Sequence, residues 1–302
     1  MAENIHDHEF LIIGPTGAGK TSLLAILDHG IKSRPDSEKD KLEVSLYSTS
    51  SSMDALIKRA QSTIETDGRL PLEGTRELTE FTFDLVLRRR RFFKTTEEVA
   101  KFRMWDGPGD AIFPDSNGEV DFAVFADFRA KLVDALKRCG GFLLCLDSKH
   151  ERKATNALFI NLPEIFSRTG ERNLPNCERV AICLTKADAH FAGHGQAARA
   201  RLEQTSATQH AATIVPRASN ATIRQYVRPE TQIGYGWTSV YGFLENDGAP
   251  NYDPKADKLL YVNDNGTHTV NYWQPYRVLE PFQFLANGTR GALEIQPARR
   301  LR

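Results

Sequence analysis

The chain has 302 residues, of which 40% are hydrophobic and 26% are charged, as is ordinary for a globular protein. Its 39 basic residues balance its 39 acidic residues, so no global field favours nucleic acid or an acidic membrane. The longest apolar runs, such as 142–146, are far shorter than the ~20 residues that span a bilayer, so we expect no transmembrane segment and no nucleic-acid partner.

The N-terminus and the cysteines indicate a cytoplasmic protein. The first ten residues, MAENIHDHEF, carry acidic side chains and lack the apolar stretch of a secretory signal. Of the four cysteines, Cys145 and Cys183 lie inside apolar runs, where a cysteine packs as a small hydrophobic residue. A reducing setting therefore fits better than a framework of disulfides.

Short apolar runs bounded by turn residues alternate with helical periodicity along the chain. Strands are predicted at 10–13, 80–87, 101–105, 141–146 and 180–184. Helices are predicted at 21–29, 52–66, 122–138, 154–167 and 276–286. The alternation predicts an α/β fold with a mostly parallel sheet. One antiparallel edge strand is expected, because a hairpin-length connection joins 80–87 to 101–105.

Three stretches interrupt this alternation, and we expect a single domain, 1–302, that carries them as insertions. They lie at about 32–70, at about 196–230 and at about 259–272, where Asn265-Gly266 predicts the turn of a β-hairpin. The run Arg88–Arg91 follows a predicted strand and is interpreted as a solvated hairpin tip. Contact with nucleic acid, anionic lipid or an acidic partner, or an arginine finger in trans, remain alternatives for this run.

The most specific motif is GPTGAGKT at residues 14–21. It matches G-x-x-x-x-G-K-[ST] at every defined position, follows an apolar strand and opens a helix. Such a loop turns successive backbone N–H groups towards a phosphate, with Lys20 reaching the β- and γ-phosphates and Thr21 ligating Mg²⁺. The motif predicts nucleoside triphosphate binding by Gly14, Pro15, Thr16, Gly17, Ala18, Gly19, Lys20, Thr21 and Ser22.

Two further motifs follow later strands in a fixed order. Asp106 opens the D-x-x-G of WDGPGD after the strand at 101–105, and TKAD ends at Asp188 after the strand at 180–184. In this order the three motifs resemble those of the Ras- and Arf-like GTPases. The resemblance implies a P-loop three-layer α/β/α domain of the small-GTPase type, with GTP or GDP as ligand and Mg²⁺ as cofactor.

The resemblance also implies how guanine would be read. Asp188 would accept two hydrogen bonds from the base edge, and Lys186 would pack on the ring. Adenine lacks that pair of donors, so the carboxylate would stay unpaired at a cost of roughly 1–3 kcal/mol. Thr185 departs from the commoner asparagine, because it keeps a hydroxyl but loses the amide. SVYG, which starts at Ser239, resembles the family's Ser-Ala-x-Gly stretch, with the backbone N–H of Val240 facing the guanine carbonyl.

The family closes a threonine over Mg²⁺ and the γ-phosphate, and here Thr75 in LPLEGTRELT would take that role, with Thr79 as second choice. Asp106 would hold the metal through a water, and the backbone N–H of Gly109 would approach the γ-phosphate. Asp110 stands where Ras-like enzymes commonly carry the glutamine that orients the attacking water. An aspartate is shorter and its charge would repel the γ-phosphate, which predicts slow intrinsic hydrolysis.

Taken together, the resemblance implies Mg²⁺-dependent GTP binding and slow hydrolysis to GDP as a conformational switch. The metal ligands would be Thr21, Thr75 and Asp106. The catalytic residues would be Lys20, Thr75, Gly109 and Asp110. Protein partners would bind through the switch regions 70–80 and 106–120.

Short additional motifs resemble the bacterial double-GTPase group, whose members are placed in multi-gene conflict or defence systems. They are LPxGT, WDGPGD and the stretch W-x-P…V-x-E-P-F at 273–282. Two alternatives to the GTPase function remain open. One is an ATPase or nucleotide kinase that uses the same loop, and the other is an interaction module that binds nucleotide without turnover.

Overall fold

A computed structural model describes residues 9–15, 17–34, 42–68, 70, 78–91, 94–106, 122–149, 152–170, 174–214, 217–244, 248–253, 255, 259–260 and 274–298. Its strands are β1 Glu9–Ile13, β2 Glu43–Ser48, β3 Thr79–Arg91, β4 Lys94–Asp106, β5 Gly141–Asp147, β6 Arg179–Thr185, β7 Gln232–Trp237 and β8 Glu294–Pro297. They form one eight-stranded sheet in the order β2-β3-β4-β1-β5-β6-β7-β8.

The middle of the sheet, from β4 through β1, β5 and β6 to β7, is parallel throughout. Every residue of β5 is buried, which is why the strand consists of a nearly continuous apolar run. Because these five strands run the same way, their carboxyl ends meet at one edge of the sheet. The predicted α/β fold with a mostly parallel sheet is therefore confirmed.

The antiparallel strands differ from the prediction. β3 and β4 form the expected antiparallel hairpin, but β2 pairs antiparallel with β3 on its outer side. At the opposite edge, β8 pairs antiparallel with β7. The prediction of one antiparallel edge strand, placed at 80–87, is thus wrong. Since only one of the six residues of β2 is buried, its apolar pattern is too weak to reveal a strand inside the stretch 32–70.

The helices are α1 Lys20–Ala25, α2 Leu27–Lys32, α3 Ser51–Asp67, α4 Phe122–Arg138, α5 Arg152–Ser167, α6 Ala187–Phe191, α7 Ala198–Gln204, α8 Ala207–Ile214, α9 Arg217–Tyr226 and α10 Glu280–Asn287. A 3₁₀ turn, Ala192–Ala197, joins α6 to α7. The predictions of α3, α4 and α5 are confirmed. The predicted helix at 21–29 is two helices, because the backbone leaves helical geometry at Ile26.

The last helix starts later than predicted. α10 begins at Glu280 rather than at residue 276, and Pro281 lies in its first turn, where a missing N–H costs no helical hydrogen bond. Gly288 ends the helix with a φ of 73°, as the Asn-Gly pair predicts. Of the predicted hairpin at 259–272, all but residues 259–260 lies outside the described residues.

Helices cover both faces of the sheet, and each face has its own apolar core. Leu11, Phe142 and Leu144 pack in the core shared with α4, α5, α8 and α9. Leu143 and Cys145 point to the other face, in the core shared with α1, α2, α3 and α10. This alternation of successive side chains is what a strand buried on both faces requires. Within the described residues, no helix is both long and apolar enough to cross a membrane.

The stretch at about 196–230 contains helices that are tied to the edge strand β8. The Glu294 carboxylate accepts hydrogen bonds from the Ser206 hydroxyl at 2.8 Å and from the backbone N–H groups of Ala207 and Thr208 at 2.7 and 3.1 Å. Burial acts to raise the pKa of Glu294, but these hydrogen bonds outweigh it and lower the pKa. The carboxylate thus caps the first turn of α8.

The arginine run at 88–91 forms the last four residues of β3, at the end of the β3–β4 hairpin where Arg91 pairs with Lys94. Arg88 donates to the carboxylate of Glu97 at 2.6 Å and to that of Glu43 at 3.4 Å. Its guanidinium therefore connects β2, β3 and β4 at the surface of the sheet, which is a structural role.

Candidate functional site

The glycine-rich loop 14–19 connects β1 to α1 at the carboxyl edge of the parallel strands. Gly17 and Gly19 have φ of 72° and 75°, in the left-handed region that other residues rarely adopt. A Cβ on Gly14 would lie 2.5 Å from the carbonyl oxygen of Cys145, so the start of the loop packs directly against β5. Gly17 and Gly19 are therefore required by their backbone conformation, and Gly14 by its close packing against β5.

Lys20 is the first residue of α1, and its side chain is only 6% exposed. The ammonium Nζ donates to the carbonyl oxygens of Gly14 and Pro15, both at 2.9 Å. Burial lowers the pKa of Lys20, while the nearby Asp106 carboxylate acts to raise it. The chain thus folds a cation back into the mouth of the loop, where a phosphate oxygen could replace either carbonyl as acceptor.

Thr21 and Asp106 come together although they are 85 positions apart. The Thr21 hydroxyl donates to the carboxylate of Asp106, which ends β4 and is 8% exposed. These are two of the three predicted Mg²⁺ ligands. In the part of the chain that is described, no three His, Cys, Asp or Glu side chains form a metal-binding group. A metal here would need phosphate oxygens and water besides these two oxygens, which is the coordination that Mg²⁺ prefers.

Thr185 at the end of β6 connects the TKAD motif to the glycine-rich loop. Its hydroxyl lies 2.8 Å from the carbonyl oxygen of Ala18 and 3.0 Å from that of Leu146, and the residue is 3% exposed. The threonine therefore keeps a direct bond to the loop without the amide that an asparagine would supply.

Lys186 has a left-handed backbone conformation with a φ of 55°, and it precedes α6. Its ammonium donates to the carboxylate of Asp147 at 2.7 Å, and the Ser148 hydroxyl donates to its carbonyl oxygen at 3.2 Å. Asp147 was not among the predicted site residues, although it directly follows the apolar run of β5. The lysine side chain is thereby held between the ends of β5 and β6.

Asp188 and Ser239 form a buried pair. Asp188 is 2% exposed, and one of its carboxylate oxygens accepts a hydrogen bond from the Ser239 hydroxyl. Burial raises the pKa of Asp188, and the Ser239 bond opposes this. Ser239 also accepts from the N–H of Gly242 at 2.8 Å, and its own backbone pairs with Tyr276 at 2.8 and 3.0 Å. Both residues are thus fixed in place, with half-buried Val240 beside them.

Several predicted site residues lie outside the described part of the chain: Thr16, Thr75, Gly109 and Asp110. The same holds for most of the switch regions 70–80 and 106–120. Their roles stay predictions. Thr79, the second choice for the switch threonine, is half-buried and pairs with Asp106 across the β3–β4 hairpin.

No family model matches this sequence, and no curated protein matches it either.

Proposed function

We propose that the chain binds GTP and GDP together with Mg²⁺ and hydrolyses GTP slowly, as a conformational switch. The observation that supports this best is that three motifs, distant in the sequence, converge at one edge of the parallel sheet. The glycine-rich loop is bonded to Asp106 through Thr21 and to the TKAD motif through Thr185. The residues proposed to bind phosphate, metal and base thus adjoin one another, which supports the proposal.

The phosphates would lie in the glycine-rich loop. Lys20 now bonds two loop carbonyls, and on binding its ammonium would turn to the β- and γ-phosphate oxygens, which are stronger acceptors because they are charged. Burial lowers the pKa of Lys20, because it disfavours the charged ammonium. A bound anionic phosphate would stabilise the ammonium and so raise this pKa again.

The oxygens of Thr21 and Asp106 fit Mg²⁺, because both are hard donors and they already contact each other. Thr21 would hold the ion directly and Asp106 through a water, with Thr75 as the third predicted ligand. When bound, the ion supplies neutralisation of the charge on the β- and γ-phosphates.

The base would be read by Asp188. The Ser239 hydroxyl bonds one oxygen of this carboxylate, which orients the group. Guanine offers two adjacent N–H donors that such a carboxylate can accept, and adenine does not. Lys186, held by Asp147, would cover one face of the ring with its aliphatic stem, and the N–H of Val240 would meet the base carbonyl.

Hydrolysis would be an in-line attack of water on the γ-phosphate, in which positioning and charge neutralisation carry most of the effect. Lys20 and the N–H of Gly109 would meet the phosphate charge. Asp110, in place of the usual glutamine, supports a low intrinsic rate that another residue or a partner raises. Protein partners at 70–80 and 106–120, and a place in a bacterial conflict system, belong to the same proposal and rest on the resemblance alone.

Single-turnover release of phosphate from γ-labelled GTP tests this proposal. The wild-type chain should bind GTP and release phosphate slowly, and Lys20→Ala should lose both properties. Lys32→Ala is the matched control, because Lys32 follows in α2 and its side chain is 68% exposed. Binding without release would indicate an interaction module, and unchanged binding by Lys20→Ala would refute the role of the loop.

A further inference from the structure

A cavity of about 350 Å³ lies among α2, α7, α10 and the segment 274–279. Its lining includes Gly30 and Arg34 from the end of α2, Arg199 from α7, and Tyr276 and Arg277 from the segment before α10. None of Lys20, Thr21, Asp106 and Asp188 lines it, so it is separate from the proposed nucleotide site. This volume falls in the range of small-molecule pockets.

Three arginines and two glutamates line this cavity, and Arg34 donates to the carbonyl oxygen of Leu42 at 2.9 Å. The three arginines come from different parts of the chain: Arg34 follows α2, Arg199 is in α7 and Arg277 precedes α10. Ion pairs within one helix therefore do not explain why they lie together. Arg199 bonds Glu203 at 3.2 Å, and Arg277 lies 3.9 Å from Glu280. Both are partly exposed pairs between near neighbours in the sequence, which contribute little to stability. An anion in the cavity could therefore engage these arginines at small cost.

Tyr276 forms the wall between two of the arginines. The guanidinium of Arg277 lies 4.7 Å and that of Arg199 6.0 Å from the centre of its ring. The residue is 8% exposed, and its hydroxyl has no hydrogen-bond partner among the described residues. Burial raises the pKa of Tyr276 to about 12, so the side chain stays uncharged beside the two arginines.

Arg277 is held in a strained conformation at the cavity. Its φ of 52° is in the left-handed region, where a residue with a Cβ is disfavoured. The backbone is fixed there because Tyr276 pairs with Ser239 on one side and α10 begins at Glu280 on the other. Strain of this kind persists where surrounding structure imposes it, and it is common where a side chain must be presented to a ligand.

We propose that this cavity binds the phosphate group of a small anionic ligand. The fork-shaped guanidiniums of Arg199 and Arg277 match phosphate oxygens, and both lie near the ring of Tyr276. Glu203 and Glu280 also line the cavity, and each lies beside one of these arginines. The inference does not depend on the proposed nucleotide site.

Calorimetric titration of Lys20→Ala protein with inorganic phosphate and with ribose 5-phosphate tests the inference. The Lys20 substitution removes the glycine-rich loop as a competing phosphate site, so the remaining binding reports on the cavity. We expect one equivalent to bind, and Arg277→Gly to weaken it by about tenfold or more. Glycine adopts the positive φ without strain, so this substitution removes the guanidinium while keeping the fold. Arg168→Ala, 56% exposed, is the control and should leave binding unchanged.

The two probes separate the sources of the phosphate group. Tighter binding of ribose 5-phosphate supports a phosphorylated metabolite, and equal binding supports free phosphate. No binding of either probe at millimolar concentration, or binding that Arg277→Gly and Arg199→Ala leave intact, overturns the proposal.

Discussion

Replacing Thr185 by valine removes one hydroxyl from the junction between β6 and the glycine-rich loop while keeping the branched shape of the side chain. The hydroxyl lies 2.8 Å from the Ala18 carbonyl and 3.0 Å from the Leu146 carbonyl. Ala18 is fully buried, so water cannot replace the lost donor. A lost hydrogen bond that leaves a buried carbonyl unpaired costs about 1–3 kcal/mol, and we expect Thr185→Val to reduce the free energy of unfolding by that amount.

Urea unfolding followed by circular dichroism, without nucleotide, measures this loss. Thr185→Ser is the matched control because it keeps the hydroxyl, and it should fall much closer to the wild type. If Thr185→Val stays within about 0.5 kcal/mol of the wild type, the range of an ordinary surface substitution, the hydroxyl does not tie the loop to β6.

Three further predictions concern the base carboxylate, a helix cap and a close contact. Burial raises the pKa of Asp188, so its carboxylate should lose its charge at a higher pH than an ordinary aspartate of pKa 3.8. On acidification GTP affinity should therefore begin to fall above pH 3.8, which fluorescence titrations across pH measure. A fall only below pH 3.8 would refute this. Glu294→Gln should reduce the free energy of unfolding by about 1 kcal/mol at neutral pH. Because the folded-state pKa of Glu294 is lowered, that difference is full above its unfolded pKa of about 4.5 and should vanish as the pH falls through the folded value; urea unfolding at several pH values checks it. Gly30→Ala should destabilise by about 1–3 kcal/mol, because its Cβ would lie 2.3 Å from Val278 Cγ2. Adding Val278→Ala should reduce that penalty, and a purely additive double mutant would show that the contact is not its cause.

Two central strands could be predicted because a strand covered on both faces is a nearly continuous apolar run, whereas β7 was missed because two glycines interrupt its apolar run, QIGYGW. β5 and β6 are such strands. The edge strands β2 and β8 could not, because few of their side chains are buried and their sequences do not differ from those of polar loops. The edge of the sheet was therefore predicted at β3. The strand that pairs with its outer side, β2, lies in a polar stretch where no strand was predicted.

The motif residues of the site could be predicted from their order along the chain, but their contacts could not. Asp147 pairs in register with Thr185, and this register brings the Asp147 carboxylate beside Lys186. The register between two strands separated by a helix cannot be derived from the residue pattern of either strand alone. The bond from Thr185 to Ala18 likewise depends on how the loop packs over β5, so it could not be derived from the identity of the side chain.

Equilibrium binding of fluorescent GTP and ATP derivatives, with and without Asp188→Asn, measures whether the site prefers guanine. Guanine should bind more tightly than adenine by about 5- to 150-fold, the equivalent of roughly 1–3 kcal/mol for a buried carboxylate left unpaired. Asp188→Asn should remove most of that preference, and Asp134→Asn, whose side chain is 69% exposed, should keep it. If ATP binds as tightly as GTP to the wild-type chain, Asp188 does not read guanine and the proposed function is wrong.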